Sequence, residues 1–168
     1  MKNHFFSLAL LTLLIGCNHH PPNSTTEKTE TEMSQKLADL DTTPKVTGIG
    51  GVFFYTDSLS AAKDWYTKNL GIEINDWGSS SFESRDLNNP EQTNSLQWKP
   101  FPKGDAYFAP STKDFMINYR VQNLEGLVRK LQENGVTLLD SIATYDYGKF
   151  VHLIDLEGTK IELWEPTE

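Results

Sequence analysis

The chain of 168 residues has a single cysteine, Cys17, so no intrachain disulfide can brace it and the fold must rest on its core. Basic residues are scarce: 15 Lys and Arg stand against 23 Asp and Glu, a formal net charge of -8. Nucleic acid demands clusters of Lys and Arg to meet its phosphates, so no nucleic-acid partner is expected. The same shortage excludes a polybasic membrane patch, and any attachment to a bilayer has to come from lipid. No stretch reaches the roughly 20 consecutive apolar residues that cross a bilayer. What is present is ordinary for one folded domain with extras: 38% hydrophobic and 23% charged residues.

The first residues read as an address. Met1 to His4 is a short positive start, and Phe5 to Ile15 is an apolar run broken only by Ser7 and Thr12. This is the length of a signal core and too short for a transmembrane helix. It closes on Leu14-Ile15-Gly16-Cys17, which resembles the lipobox of bacterial lipoproteins. The resemblance implies that residues 1–16 are a signal peptide, that Cys17 receives diacylglycerol, and that its new amine is acylated, as with palmitate. Several acyl chains at about 0.8 kcal/mol per buried CH₂ make such an anchor effectively permanent. Asn18 to Thr43 is rich in Pro, Ser, Thr, Glu and Lys and holds almost nothing apolar before Leu37. Such a segment cannot offset its ordering entropy, so residues 17–43 are expected to be lipidated cysteine and disordered tether. The expected location is the bacterial cell envelope, and Asn18 rather than Asp after the cysteine favours the outer membrane of a Gram-negative cell.

Residues 44–168 are the expected folded domain. Val46 to Thr56 is apolar or small throughout and reads as a buried strand. Ser58 can cap a following helix, Gly71 can end it, and Ala62, Trp65, Tyr66 and Leu70 supply its apolar face. Ile72-Glu73-Ile74 then alternates like a strand. The pattern recurs: Phe115 to Val121 alternates, Asn123 can cap, and Leu124, Leu127, Val128 and Leu131 form a stripe. Gly135 ends that helix and Val136 to Leu139 restarts a strand. Further strand-like pieces follow in each copy, at Phe82, Ser95 to Trp98 and Tyr107-Phe108, then at Phe150 to Ile154 and Lys160 to Trp164. The reading is an α+β protein made of two βαβββ modules, at about 46–110 and 111–166.

The residues carrying that pattern resemble the vicinal oxygen chelate superfamily of glyoxalase, bleomycin-resistance and dioxygenase proteins. They are Ile49 to Phe54, Trp65-Tyr66 with Leu70-Gly71, Tyr119-Arg120-Val121 with Asn123-Leu124, and Asp155 to Gly158 through Ile161 to Glu165. The resemblance implies a half-open barrel with helices on its outer face and a site in its concavity. It also implies a divalent ion held from the first and last strands of each module. The first-strand positions fall at Gly51 and Met116, which offer no hard N or O donor, and only Glu162 keeps a matching ligand. No metal is therefore expected, with a divalent ion on Glu162 and His152 as the alternative.

Strand alternation sends Ile117, Tyr119, Val121, Ile161 and Leu163 to the helices. Met116, Asn118, Arg120, Lys160, Glu162 and Trp164 then face the cavity, joined by His152 and Phe150 once the turn Asp155 to Thr159 pairs the last two strands. Glu162 and His152 are the candidate acid/base pair, and Asn118, Arg120, Phe150 and Trp164 the candidate ligand contacts. Arg120 can hold an oxyanion or simply neutralise Glu162. Tyr145 to Gly148 is a candidate lid. Three functions follow: binding of a small, oxyanion-bearing molecule without metal; a metal-dependent lyase, isomerase or dioxygenase of the glyoxalase type; and a non-catalytic envelope scaffold. A homodimer is compatible with each.

Overall fold

The computed structural model describes residues 41–87 and 89–167. The predicted signal peptide, Cys17 and all of the tether before residue 41 lie outside the described residues. In chain order the elements are β1 (Lys45–Thr56), α1 (Leu59–Leu70), β2 (Ser80–Arg85), β3 (Thr93–Pro102) and a 3-10 turn (Ala106–Phe108). The second half holds β4 (Phe115–Gln122), α2 (Leu124–Glu133), β5 (Ala143–Tyr145), β6 (Gly148–Ile154) and β7 (Lys160–Glu165).

All seven strands form one mixed sheet in the order β2-β3-β1-β4-β7-β6-β5. The sheet does not close, and the two helices cover one face, an α+β fold. The duplication is visible in the pairing. β1 runs parallel to β3 as β4 runs parallel to β7, and the halves meet where β1 pairs antiparallel with β4.

Both helices start as their caps dictate. The Ser58 hydroxyl accepts from the Ala61 N–H, and Gly71 closes α1 in the left-handed conformation at φ 67°. The Asn123 side chain accepts from the Gly126 N–H at 3.0 Å to start α2. Its stripe does what its spacing implies: Leu124 and Leu127 join Val121, Val151, Leu153 and Leu163 in the larger core, with Val128 and Leu131 packed against it. α1 differs. None of its residues is buried, and Trp65 and Leu70 are 55% and 60% exposed. Tyr66 alone of its aromatics reaches the sheet rings, meeting Trp98 at 4.7 Å and Phe54 at 6.1 Å between centroids.

Three expected strand pieces take other forms. Residues 72–74 stay out of the sheet, because the Asn75 side chain takes the Trp77 and Ser79 N–H groups into a local turn. Tyr107-Phe108 lies in the 3-10 turn, where the Asp105 carboxylate accepts the Tyr107 N–H at 2.8 Å. Val136 to Leu139 makes one isolated bridge, Leu138 to Leu153. It stops there because the Asp140 carboxylate, not a further backbone carbonyl, accepts the His152 N–H at 2.8 Å. The first module is thus βαββ and the second βαβββ.

Tyr145 to Gly148 is a tight β5–β6 hairpin, not a loose lid. Its backbone is tied down: the Asp146 carbonyl accepts from the Thr167 hydroxyl and the Tyr147 carbonyl from the Trp164 indole.

Candidate functional site

The register of the sheet sets two parallel rows on the face turned away from the helices. Gly51, Asn118, Glu162 and His152 stand side by side on β1, β4, β7 and β6. Two residues along β4, β7 and β6, and three along the bulged β1, Gly48, Arg120, Trp164 and Phe150 form the next row.

Glu162 is the centre of the first row and only 3% exposed. One carboxylate oxygen, Oε1, accepts from Asn118 Nδ2 at 2.6 Å. The other, Oε2, meets His152 Nε2 at 2.9 Å and accepts from the Tyr107 hydroxyl. His152 is bracketed, because its Nδ1 lies 2.6 Å from Asp140 Oδ2. A carboxylate on each ring nitrogen calls on both to donate, which is the imidazolium form. Burial favours the neutral ring, but the bonds to Glu162 and Asp140 outweigh it and raise the His152 pKa above 6.5. Burial likewise pushes Glu162 up, and the donors His152, Tyr107 and Asn118 together hold it below 4.5. The Tyr107 phenol is pushed up by burial and by the Glu162 charge, so it stays protonated and donates.

These shifts predict a pH window of stability. The His152 contribution is complete below its unfolded value of 6.5 and is lost as pH rises through its raised folded value. The Glu162 contribution is complete above 4.5 and is lost as pH falls through its depressed folded value. Thermal unfolding followed against pH should therefore show the pair contributing in full between 4.5 and 6.5. His152→Gln should flatten the alkaline decline; an unchanged decline in that variant would contradict this assignment.

Arg120 stands in the second row and does not neutralise Glu162, whose ionic partner is His152. The reason is register: Arg120 lies beside Trp164, while Asn118 lies beside Glu162. Its guanidinium sits above Gly48, where the absence of a Cβ leaves room, and its Nε–H donates to Thr47 Oγ1 at 3.4 Å. Burial lowers its pKa and the Asp86 charge pushes it back up; a guanidinium stays charged at neutral pH. Beside it, Trp164 and Phe150 stack nearly parallel at 11°, and Tyr145 and Tyr147 meet Phe150 edge-on. The row is a cation flanked by an aromatic wall.

Of the residues chosen from sequence, Asn118, Glu162 and His152 come together, and Arg120, Trp164 and Phe150 form a separate group. Sequence reasoning missed Tyr107 and Asp140. It also gave no role to Lys160, whose ammonium donates to the Tyr107 carbonyl at 2.6 Å. Tyr107 and Glu162 are 55 residues apart, and nothing local signals their contact. Asp140 had a signal: an acid closing the apolar run Val136 to Leu139.

The family's divalent ion does not fit these residues. A Cβ at Gly51 would meet the Phe53 ring at 2.7 Å, so that position is already covered. Met116 is fully buried with Phe53 and Phe108 in an apolar cluster. Both oxygens of Glu162 are engaged by protein donors. Among the described residues no three His, Cys, Asp or Glu side chains form a metal-ligating group.

A family model described as the Glyoxalase/Bleomycin resistance protein/Dioxygenase superfamily matches residues 48–163. Among solved structures, a Streptomyces coelicolor methylmalonyl-CoA epimerase variant with bound 2-nitronate-propionyl-CoA is similar, at TM-score 0.53 and 17% identity. The match covers 74% of this chain and 100% of that one. The Mycobacterium tuberculosis methylmalonyl-CoA epimerase matches at TM-score 0.46 and 22% identity, over 79% of this chain and 96% of that one. A Vibrio splendidus 12B01 member of the glyoxalase/bleomycin resistance protein/dioxygenase superfamily matches at TM-score 0.46 and 13% identity, over 73% and 99%. No curated protein matches the sequence. At 17% identity the Streptomyces coelicolor structure bears on the fold alone.

Proposed function

The chain belongs to the glyoxalase/bleomycin resistance protein/dioxygenase superfamily, and from that premise we propose that it is a lipid-anchored envelope protein that binds a small oxyanion-bearing molecule. Binding takes place on the open face of the sheet and does not use the family's divalent ion. The observation that carries this reading is the separation of the two rows. Glu162 is engaged by His152, Tyr107 and Asn118, and the family's other ligand positions, Gly51 and Met116, offer it no partner donor. Arg120 stands clear of that network beside the Trp164–Phe150 stack, where a planar anion can pair with the guanidinium and lie against the rings. The anchor at Cys17 would keep this pocket at a membrane surface of the bacterial envelope, with the outer membrane favoured in a Gram-negative cell.

The test uses the purified full chain, metal analysis and a thermal-shift series with benzoate, phosphate and uncharged benzamide. Benzoate should raise the unfolding temperature and benzamide should not. Arg120→Gln should weaken benzoate binding about tenfold or more, as expected for loss of a charge-assisted hydrogen bond. Stoichiometric first-row metal that disappears in Glu162→Ala would overturn the reading in favour of a metal-dependent enzyme using Glu162 and His152.

One observation favours a second reading, the non-catalytic scaffold. The charged groups of the first row satisfy one another, and Phe53, Phe108 and Met116 fill the neighbouring part of the face. Under it, no anion in the series stabilises the protein.

A further inference from the structure

On the helix side of the sheet, the end of α2 and the segment 136–142 enclose an open groove of about 590 Å³. That volume lies in the range that holds small ligands. Its apolar walls are Val128, Val136, Leu138 and Ile142. All four pack from outside on the larger core cluster, so the floor of the groove is the core itself. Among the described residues Asp140 is the only charged side chain in the lining, and it is 47% exposed.

Asp140 belongs to both faces of the sheet. It lines the groove, and it also accepts the His152 backbone N–H at 2.8 Å and faces His152 Nδ1 at 2.6 Å. Each of its oxygens keeps a further lone pair. Asp140, His152 and Glu162 form a linear set of two carboxylates around one imidazole, with the Lys160 charge acting on both carboxylates, so the pull of the groove on a cation comes from Asp140 itself. The chain as a whole is acidic at -8. An apolar trough closed by one accessible carboxylate selects against anions and favours a donor-bearing cation over a neutral molecule of equal size.

We propose that this groove is a second ligand site, for a small molecule joining an apolar body to an ammonium or similar cationic nitrogen. The apolar body lies on Val128, Val136, Leu138 and Ile142, and the cation pairs with Asp140. A cation there shares the carboxylate with His152, so occupancy is felt across the sheet at the Glu162 network, and the coupling is reciprocal. The inference is independent of oxyanion binding at Arg120, which lies in the other row of the opposite face.

The experiment is an NMR titration of the isotope-labelled full chain with n-hexylammonium, using 1-hexanol and hexanoate as matched probes. n-Hexylammonium should shift the methyl resonances of Val128, Val136, Leu138 and Ile142 together with the His152 ring. 1-Hexanol should bind about tenfold more weakly, the usual margin of a charge-assisted hydrogen bond, and hexanoate more weakly still. Asp140→Asn should remove the preference for the amine over the alcohol. Because that change also releases His152, Ile142→Trp provides a second variant. It fills the groove, keeps Asp140, and should abolish the methyl shifts while leaving the free-state His152 resonance in place. Equal binding of all three probes overturns the proposal. So do shifts confined to Phe150 and Trp164, or burial of the groove methyls by self-association of the chain.

Discussion

Replacing Glu162 by alanine is expected to destabilise the domain by about 3–5 kcal/mol, the range found when one partner of a buried ion pair is removed. The size of the effect comes from what is left behind. Asn118 and Tyr107 each lose the acceptor they point at, and His152 loses the inner of its two carboxylates. Asn118 is already under-satisfied, because its Oδ1 is buried without a hydrogen-bond partner. An imidazolium with one carboxylate gone is left partly buried and gives up part of its raised pKa. Glu162→Gln should cost less, since the amide oxygen can still accept from Tyr107 or Asn118. It should still cost more than a surface change, because its NH₂ faces at least one donor. Urea unfolding of the wild type and both variants, read as the shift in midpoint at constant slope, measures the difference. A Glu162→Ala variant as stable as wild type would show that the network is decorative.

The second large effect is expected from a change that adds a single methyl group. Gly50→Ala should destabilise by about 1–3 kcal/mol, the usual range for overpacking a filled interior. Glycine-to-alanine changes in an extended strand ordinarily help, because they remove freedom from the unfolded chain. Here the register between β1 and β4 shifts between Ile49 and Gly51, and Gly50 is the residue passed over. A Cβ at Gly50 would overlap Asn118 Oδ1, stand 2.8 Å from Trp164 Cε3 and lie 3.2 Å from the Arg120 backbone nitrogen. One of these atoms is backbone and another belongs to a ring stacked on Phe150, so neither moves cheaply. Gly48→Ala provides the internal control. Its Cβ meets the tip of the flexible Arg120 side chain at 2.6 Å, which can swing aside. The two variants should therefore separate: a clear loss of unfolding midpoint for Gly50→Ala and a smaller one for Gly48→Ala. Equal losses would mean that the crowding over β1 is not what requires glycine there.

Both predictions concern the same piece of architecture, and the sequence showed only part of it. The glycine-rich start of β1 was legible as a strand, and its match to the family pattern was legible too. That the missing Cβ atoms make room for Arg120, Asn118 and Trp164 was not, because those residues lie about 70 to 110 positions further along the chain. The pairing of His152 with Glu162 was within reach, since the short turn from Asp155 to Thr159 sets a local register. The partners that complete the network arrive differently. Tyr107 comes on a 3-10 turn where alternation suggested a strand, and Asp140 comes where a side chain takes over a ladder hydrogen bond. In both places a short polar side chain competes with the backbone pattern, and hydrophobic periodicity does not register that competition. The helix α1 erred in the other direction. Its apolar residues have helical spacing, yet the surface they meet is small, and Trp65 and Leu70 stay exposed.

The duplicated strand–helix pattern, the family, the helix caps and the faces of β4, β6 and β7 were all legible along the chain. These follow from periodicities of 2 and 3.6 and from a few glycine and asparagine signals, all of which act within a dozen residues. Which charges meet is settled in three dimensions. Arg120 and Glu162 share a face and lie two places apart in register, so alternation could not tell pairing from separation. The sheet put His152, Tyr107 and Asn118 on the carboxylate and left Arg120 beside the aromatic wall. The physical reason is range: burial patterns are written locally along the chain, whereas an ion pair depends on the register of strands that the sequence keeps far apart.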